Sequence, residues 1–453
     1  MWVKRCGSLG AANLPMKHAL PILLLPLLML GCHAQAPRTA APAPAPPVSA
    51  PPVWTDAERA ACVAFWSLPG RMQVSFAPAR ATLTPDASVW FAAFNHALRT
   101  ASRADAATWK AWADAKFARD RWEASQIAGA PASGPEPSLP GVVPASLLLA
   151  AGDPPPLAAA LVPKRYTIDL GGDDGPPLVY VAPIAVSPRY PSYRFAEGVI
   201  SGGAALSKMP AGELDGLMRG AGLTPFEAHV IGAVSRLEGG FDAVNTYDTG
   251  FVSVGFIQFI TAADGNGSLA TVLTTEKAEK PSDFARDFHS RGIDVTPGGI
   301  FAVVDPATGA AVTGADAVRK TISDPRLIAV FQAAGRRSIA FRIAQIQTAK
   351  RSYYPFDDIF SVTLPDGTLR TGRVGDILKS EAGMAAAFDR KVNTGHAAPE
   401  VAAAVAAVMA AHHLTNLSGV APYEREVVAA LKYRADFLSD RSLTQPPMPP
   451  TSL

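Results

Sequence analysis

The chain has 453 residues, long enough for one large domain, a smaller one and linkers between them. Apolar residues make up 48% of it, and 41 basic residues nearly balance 39 acidic ones. That balance excludes disorder throughout and a basic surface built for nucleic acid.

The first predicted element is an export signal. Lys17 and His18 precede the apolar run Ala19–Gly31, too short to span a bilayer comfortably and better read as a signal-peptide core. Leu28 to Cys32, "LMLGC", resembles the bacterial lipobox, which implies that Cys32 is lipidated and anchors the mature chain to a membrane. Residues 1–32 are therefore expected to form a lipoprotein signal peptide, with Met16 a better start than Met1. His33 after the cysteine is similar to the pattern of outer-membrane lipoproteins in Gram-negative bacteria, facing the periplasm. With Cys6 and Cys32 assigned to leader and anchor, Cys62 has no partner for an internal disulfide.

Residues 33–53, rich in Pro and Ala, lack the large side chains of a core and read as a semi-rigid linker. At about 3.1 Å per residue, this linker reaches roughly 60 Å. Residues 54–125 show helical patterning and hold Trp54, Trp66, Trp90, Trp109, Trp112 and Trp122. They are expected to form a small helical domain with an aromatic core; a wall-binding module that stacks on sugars is the alternative. Residues 126–163 read as a second linker with one short helix. "RYTIDL" and "LVYVAPI" are predicted strands around a "GGDDGPP" turn, leading into a main domain over residues 164–439. A tail over 440–453 is expected to be disordered.

The main domain is predicted to be mainly α, with short β-hairpins at "GIFAVVDPATGAAV" and "IFSVTLPDGTLRTG". "DPRLIAVFQAAGRRSIAFRIAQIQTAK" reads as one long or broken helix, followed by helices at "APEVAAAVAAVMAAHHL" and "APYEREVVAALKYRADFL". Upstream, Thr224-Pro225-Phe226-Glu227 has the pattern of a capping box. Apolar positions then recur at helical spacing until Gly239-Gly240, which makes Glu238 the expected last residue of the helix. A carboxyl at a helix C-terminus between Leu237 and Phe241 should resist ionisation, as a glycosidase general acid requires. Beyond it, Ala243–Tyr247 and Phe251–Val254 are predicted to pair across Asp248-Thr249-Gly250. Asn245, Tyr247 and Ser253 would then lie beside Glu238. "GFIQF", Gly255 to Phe259, would lead back into helix with Gln258 aimed at the cleft. Asn, Gln and Tyr offer hydrogen bonds and stacking for a sugar, and Gly255 offers close backbone approach. Asp248 is either a turn former or a second catalytic carboxylate; Asp242 and Asp264 are weaker alternatives.

A helix ending in Glu, a short hairpin and a Gly-apolar-apolar-Gln turn resemble the lysozyme-like superfamily, which includes goose-type lysozymes, lytic transglycosylases and chitosanases. "GFIQ" is similar to the transglycosylase "GLMQ" element, and "VNTG", Val392 to Gly395, to their "YNAG" element. The resemblance implies a lysozyme-like fold, Glu238 as catalytic acid, Gln258 and Asn393 as substrate ligands and peptidoglycan glycan strands as substrate, with no cofactor. The chain departs from it at Gly239, where transglycosylases usually carry Ser, and at Val392, where they carry Tyr. "FDRKVNTG" also resembles chitosanase-like chains, so an alternative amino-sugar polymer stays open, as does a non-catalytic peptidoglycan-binding lipoprotein. No metal site is expected: residues 264–275 lack the Gly and Glu of a calcium loop, and His412-His413 lacks zinc-site spacing.

Overall fold

Thr224 caps the helix Pro225–Ser235 as its sequence indicates. Its hydroxyl accepts from the Glu227 backbone N–H at 3.3 Å, while Thr224 N–H donates to Glu227 Oε2 at 2.8 Å. Val230, Ile231, Ala233 and Val234 are buried, and the helix packs on Glu381–Thr394 in the middle of the main core. It stops at Ser235, three residues earlier than the Gly-Gly signal suggests, and Arg236 to Glu238 form the turn that follows.

The computed structural model describes residues 53–77, 80–83, 85–127, 135–155, 158–182, 198–247, 250–364 and 366–450. The expected signal peptide, Cys32, the linker 33–53 up to residue 52, and Asp248 lie outside these. Among the described residues the fold is mainly α with small antiparallel sheets, and no helix is long and apolar enough to cross a membrane.

The long predicted helix divides into Pro325–Arg337 and Ile339–Tyr353. Ser338 makes the break: it closes the first helix and its hydroxyl accepts from Phe341 N–H at 3.2 Å to start the second. "APEVAAAVAAVMAAHHL" folds as the helix Ala398–Ala411. The last predicted helix is shorter than its pattern, running only from Glu424 to Leu431, so residues 432–436 form a loop. Both hairpins form, as Phe301–Val304 with Ala311–Thr313 and as Ile359–Thr363 with Leu369–Arg373; the first gains a third strand, Ile293–Val295.

The N-terminal region divides differently from the expected boundaries. Thr55 caps the helix Asp56–Ser67, and Trp54, Cys62 and Trp66 are buried in the main core. Both indoles are fixed there, Trp54 Nε1 donating to His289 O and Trp66 Nε1 to Arg291 O, each at 3.1 Å. Trp90, Trp109 and Trp112 form a second core with Phe91, Phe94 and Leu147, drawn from the helices Pro85–Thr100, Arg103–Ile127 and Ala145–Ala151. Their burial favours the aromatic-core reading over exposed sugar-stacking surfaces.

The expected second linker is not only a linker. Ala158–Leu161 pairs with Arg80–Leu83, and Lys164–Ile168 pairs with Met72–Phe76 on one side and Leu178–Ala182 on the other. These pairings bind the Trp-rich part to the main part, and Val53–Leu453 forms one compact unit. The expected disordered tail also begins inside the fold. Leu443 is buried, Thr444 Oγ1 accepts from Glu381 N–H at 3.0 Å, and Thr444 N–H donates to Glu381 Oε2 at 2.7 Å.

Candidate functional site

Past the helix Pro225–Ser235 the chain turns sharply, with Leu237 N–H on Val234 O and Glu238 N–H on Ser235 O. This turn carries the Glu238 side chain inward, where only 1% of it is exposed. Two glycines follow because there is no room for side chains. A Cβ on Gly240 would lie 2.1 Å from Ala204 O, and one on Gly239 would lie 2.6 Å from the Ala243 Cβ. The Gly239 departure from the transglycosylase pattern thus has a packing cause.

The hairpin facing Glu238 forms in the expected register, Asn245 opposite Ser253 and Val244 opposite Val254. Two further strands extend it, Ile200–Ser201 beside Val244–Asn245 and Phe259–Ile260 beside Ser253–Val254. The "GFIQ" segment is therefore a turn between strands and does not re-enter helix. Gly255 and Gln258 both hold left-handed backbone, φ 84° and 58°. Gln258 Nε2 donates to Gly255 O at 3.0 Å.

Sequence reasoning missed Gln345, which locks this turn in place. Its buried Oε1 accepts from Phe256 N–H at 3.3 Å, while its Nε2 donates to Phe241 O at 3.0 Å. A Cβ on Gly255 would meet that Oε1 at 2.1 Å.

Ser201, Gly202, Glu238, Gly239, Asn245 and Gln258 line one cleft of about 370 Å³. Three of the predicted residues, Glu238, Asn245 and Gln258, are thus brought together. The Asn245 side chain oxygen accepts from Tyr247 N–H at 3.1 Å, which orients the amide. Ser201 is held from behind, receiving a 2.8 Å hydrogen bond from Gln332 Nε2, whose Oε1 takes the Tyr180 hydroxyl at 2.6 Å.

The other predicted residues fall elsewhere. Ser253 and Tyr247 are buried, and the Tyr247 ring joins the second aromatic core, so it does not offer a stacking face to the cleft. Asn393 sits near the end of the helix Glu381–Thr394, its Nδ2 donating to Asp389 O at 2.7 Å. Asp242 is structural: its carboxylate accepts from Ala204 N–H at 2.7 Å and pairs with Arg336 at 3.0 Å. Asp264 is a turn former for Asn266 N–H. A helix, Ser268–Glu279, starts where a calcium loop would continue, and His412 is taken up by Glu426 at 2.9 Å and by stacking on Tyr423.

The largest surprise is Arg434. It enters from the loop after Leu431, and its Nη2 lies 2.8 Å from Glu238 Oε1 while its Nε donates to Asp389 Oδ1 at 2.6 Å. The guanidinium therefore bridges two buried carboxylates, and through Asp389 it connects Glu238 to Asn393. Glu238 therefore has a cation beside it, where its sequence shows only apolar neighbours and a helix end. No local pattern announces a partner almost two hundred residues away.

Compared with protein-family models, characterised proteins and solved structures, the chain matches none. The chemistry on offer is one buried carboxyl group and two side-chain amides lining a cleft of about 370 Å³, with an arginine against the carboxyl group.

Proposed function

We propose that the chain cleaves glycan strands of the bacterial cell wall, as a peptidoglycan hydrolase or lytic transglycosylase with a lysozyme-like arrangement, and that Glu238 is its general acid. The carrying observation is the convergence of Glu238, Asn245 and Gln258 on one cleft from a helix turn and a hairpin. In this reading the two amides hold sugar hydroxyl and acetamido groups, and Glu238 protonates the departing glycosidic oxygen. Arg434 must then remain with Asp389 while Glu238 carries its proton. Asp248 is the proposed base or oxocarbenium stabiliser; without it the sugar's own substituent closes onto the anomeric carbon. A lipid on Cys32 and the linker behind it would hold the domain at the outer membrane within reach of the wall.

The Glu238–Arg434 contact favours a second reading, a peptidoglycan-binding lipoprotein without catalysis, because a carboxyl group engaged by an arginine serves as a structural partner and not as an acid aimed at substrate. Incubating the full chain with purified peptidoglycan separates the two. Release of muropeptides that Glu238→Gln abolishes supports the enzyme; pelleting with the wall and no release supports the binder. Anhydro ends among the products mark a transglycosylase and reducing ends a hydrolase, while activity on chitosan alone would redirect the substrate assignment.

A further inference from the structure

In the sheet ordered Met72–Phe76, Lys164–Ile168, Leu178–Ala182, the strand Met72–Phe76 is paired on one side alone among the described residues, and all five of its residues are exposed. The bonds that flank it fix which of its backbone groups are free. Asp169 N–H donates to Arg71 O at 3.0 Å and Ala77 N–H to Pro163 O at 2.8 Å, so the odd-numbered positions bond towards Lys164–Ile168. Alternation along an antiparallel ladder then turns the N–H and C=O groups of Met72, Val74 and Phe76 outward. The side chains of the same three residues share a face with Lys164, Tyr166 and Ile168 and, one strand further, with Leu178, Tyr180 and Ala182. That face is buried at Leu178, Tyr180 and Ala182 and opens towards the edge, where Met72, Val74 and Phe76 are 36%, 49% and 72% exposed. Natural sheets commonly guard such an edge with a charge or a proline, and Met72–Phe76 carries neither.

We propose that Met72–Phe76 pairs with the same strand of a second copy, antiparallel about a two-fold axis at Val74, so that one sheet runs through the dimer. The strand itself selects that occupant. Centring the pair on Val74 sets Met72 of each copy opposite Phe76 of the other and Val74 opposite Val74, so every outward N–H meets an outward C=O. Apolar side chains then meet apolar ones on one face, Gln73 meets Ser75 on the other, and no like charges are opposed. A shift by one residue would set outward groups of one copy against inward groups of the other. The interface is small, and a dissociation constant on the order of 10–100 μM is expected.

Sedimentation equilibrium of the full chain, over concentrations from about 1 to about 300 μM, tests this. The parent is expected to pass from monomer to dimer across that range. Val74→Lys and Val74→Glu each oppose like charges at the axis and are expected to stay monomeric at the highest concentration. Both should melt close to the parent, since Val74 is half exposed. An equal mixture of the two variants is expected to recover the dimer, because the axis then joins opposite charges. A parent that is monomeric throughout overturns the proposal. A parent dimer that Val74→Lys leaves intact overturns it too, since the copies then meet elsewhere. A mixture that stays monomeric overturns the two-fold pairing at Val74.

Discussion

Gly239 is the residue at which packing and chemistry meet. The side chain a transglycosylase would place there has no space, since its first carbon would lie 2.6 Å from the Ala243 Cβ. Gly239→Ser is expected to cost about 1–3 kcal/mol of stability, as overpacking of a close contact does. Chemical denaturation should show that loss, and Ala243→Gly in the same chain should recover most of it; no recovery would point to a cause other than this contact. Arg434 poses a different question, because it neutralises two carboxylates at once. Arg434→Ala leaves both Glu238 and Asp389 buried without their bridging cation and should destabilise the chain by about 3–5 kcal/mol. Replacing Asp389 by Asn together with Arg434→Ala removes one stranded charge, so the double variant should lose less than the single one. A larger loss in the double variant would rule out stranded charge as the cause.

At the scale of elements, the helix Asp56–Ser67 is held to the main core partly by titratable groups. His289 Nδ1 donates to Asp294 Oδ2 at 2.5 Å, while the ring lies 3.2 Å from Glu58 Oε1 and stacks on Trp54. Its pKa is raised, first by the hydrogen bond to Asp294 and against the effect of burial. Glu58 is lowered to about 2, chiefly by the backbone and hydroxyl of Thr55. A raised histidine stabilises the fold below its unfolded pKa of about 6.5 and loses that contribution as pH rises through the folded value. A lowered carboxylate stabilises above its ordinary value of 4.5 and loses it as pH falls towards about 2. The clamp is therefore strongest between about 4.5 and 6.5. His289→Gln should lower the melting temperature most in that window and progressively less above it; a deficit independent of pH would show that the imidazole acts only by packing.

Elements also show what a sequence can disclose. Thr224 and Glu227 are three residues apart and cap each other, so the helix start is legible, as is the Ser338 break, which needs only its own hydroxyl. The end of the helix Pro225–Ser235 is overrun because Gly239 and Gly240 answer to Ala243 and Ala204, not to helix termination. Glu238, Asn245 and Gln258 are readable because they lie on one short continuous stretch of chain, the helix turn and the hairpin after it. Gln345, Asp389 and Arg434 are not, since their meaning lies in partners brought near only by the folded chain. Tyr247 reads in sequence as a cleft residue and packs in the second core, because an aromatic beside a cleft and an aromatic in a core have the same sequence signature.

For the molecule as a whole, Tyr247 joins the Trp-rich core to the hairpin that forms the cleft wall, so the two parts are expected to unfold together. Trp109→Ala, expected to cost about 3–5 kcal/mol, should broaden into loss of the cleft hairpin in hydrogen exchange instead of melting the Trp-rich helices alone. The stability of this joined core carries a second pH dependence from Glu276, on the helix Ser268–Glu279. It is 1% exposed, and burial foremost, with Asp287 beside it, raises its pKa to about 9. Asp287 is already paired with Arg286 at 3.0 Å and Arg337 at 3.2 Å, so those cations are shared with a competing carboxylate. Below 4.5 the folded and unfolded chains both keep the Glu276 proton, and the group is neutral in its effect. Between 4.5 and about 9 the unfolded chain gives up that proton and the folded chain keeps it, so stability declines steadily as pH rises. Glu276→Gln removes the titration while keeping the size of the side chain. The variant should match the parent near pH 4 and melt higher near pH 8, by a margin that widens between the two. Equal melting temperatures at both ends would mean that Glu276 is ionised in the folded chain and that the surrounding cations, not burial, control it.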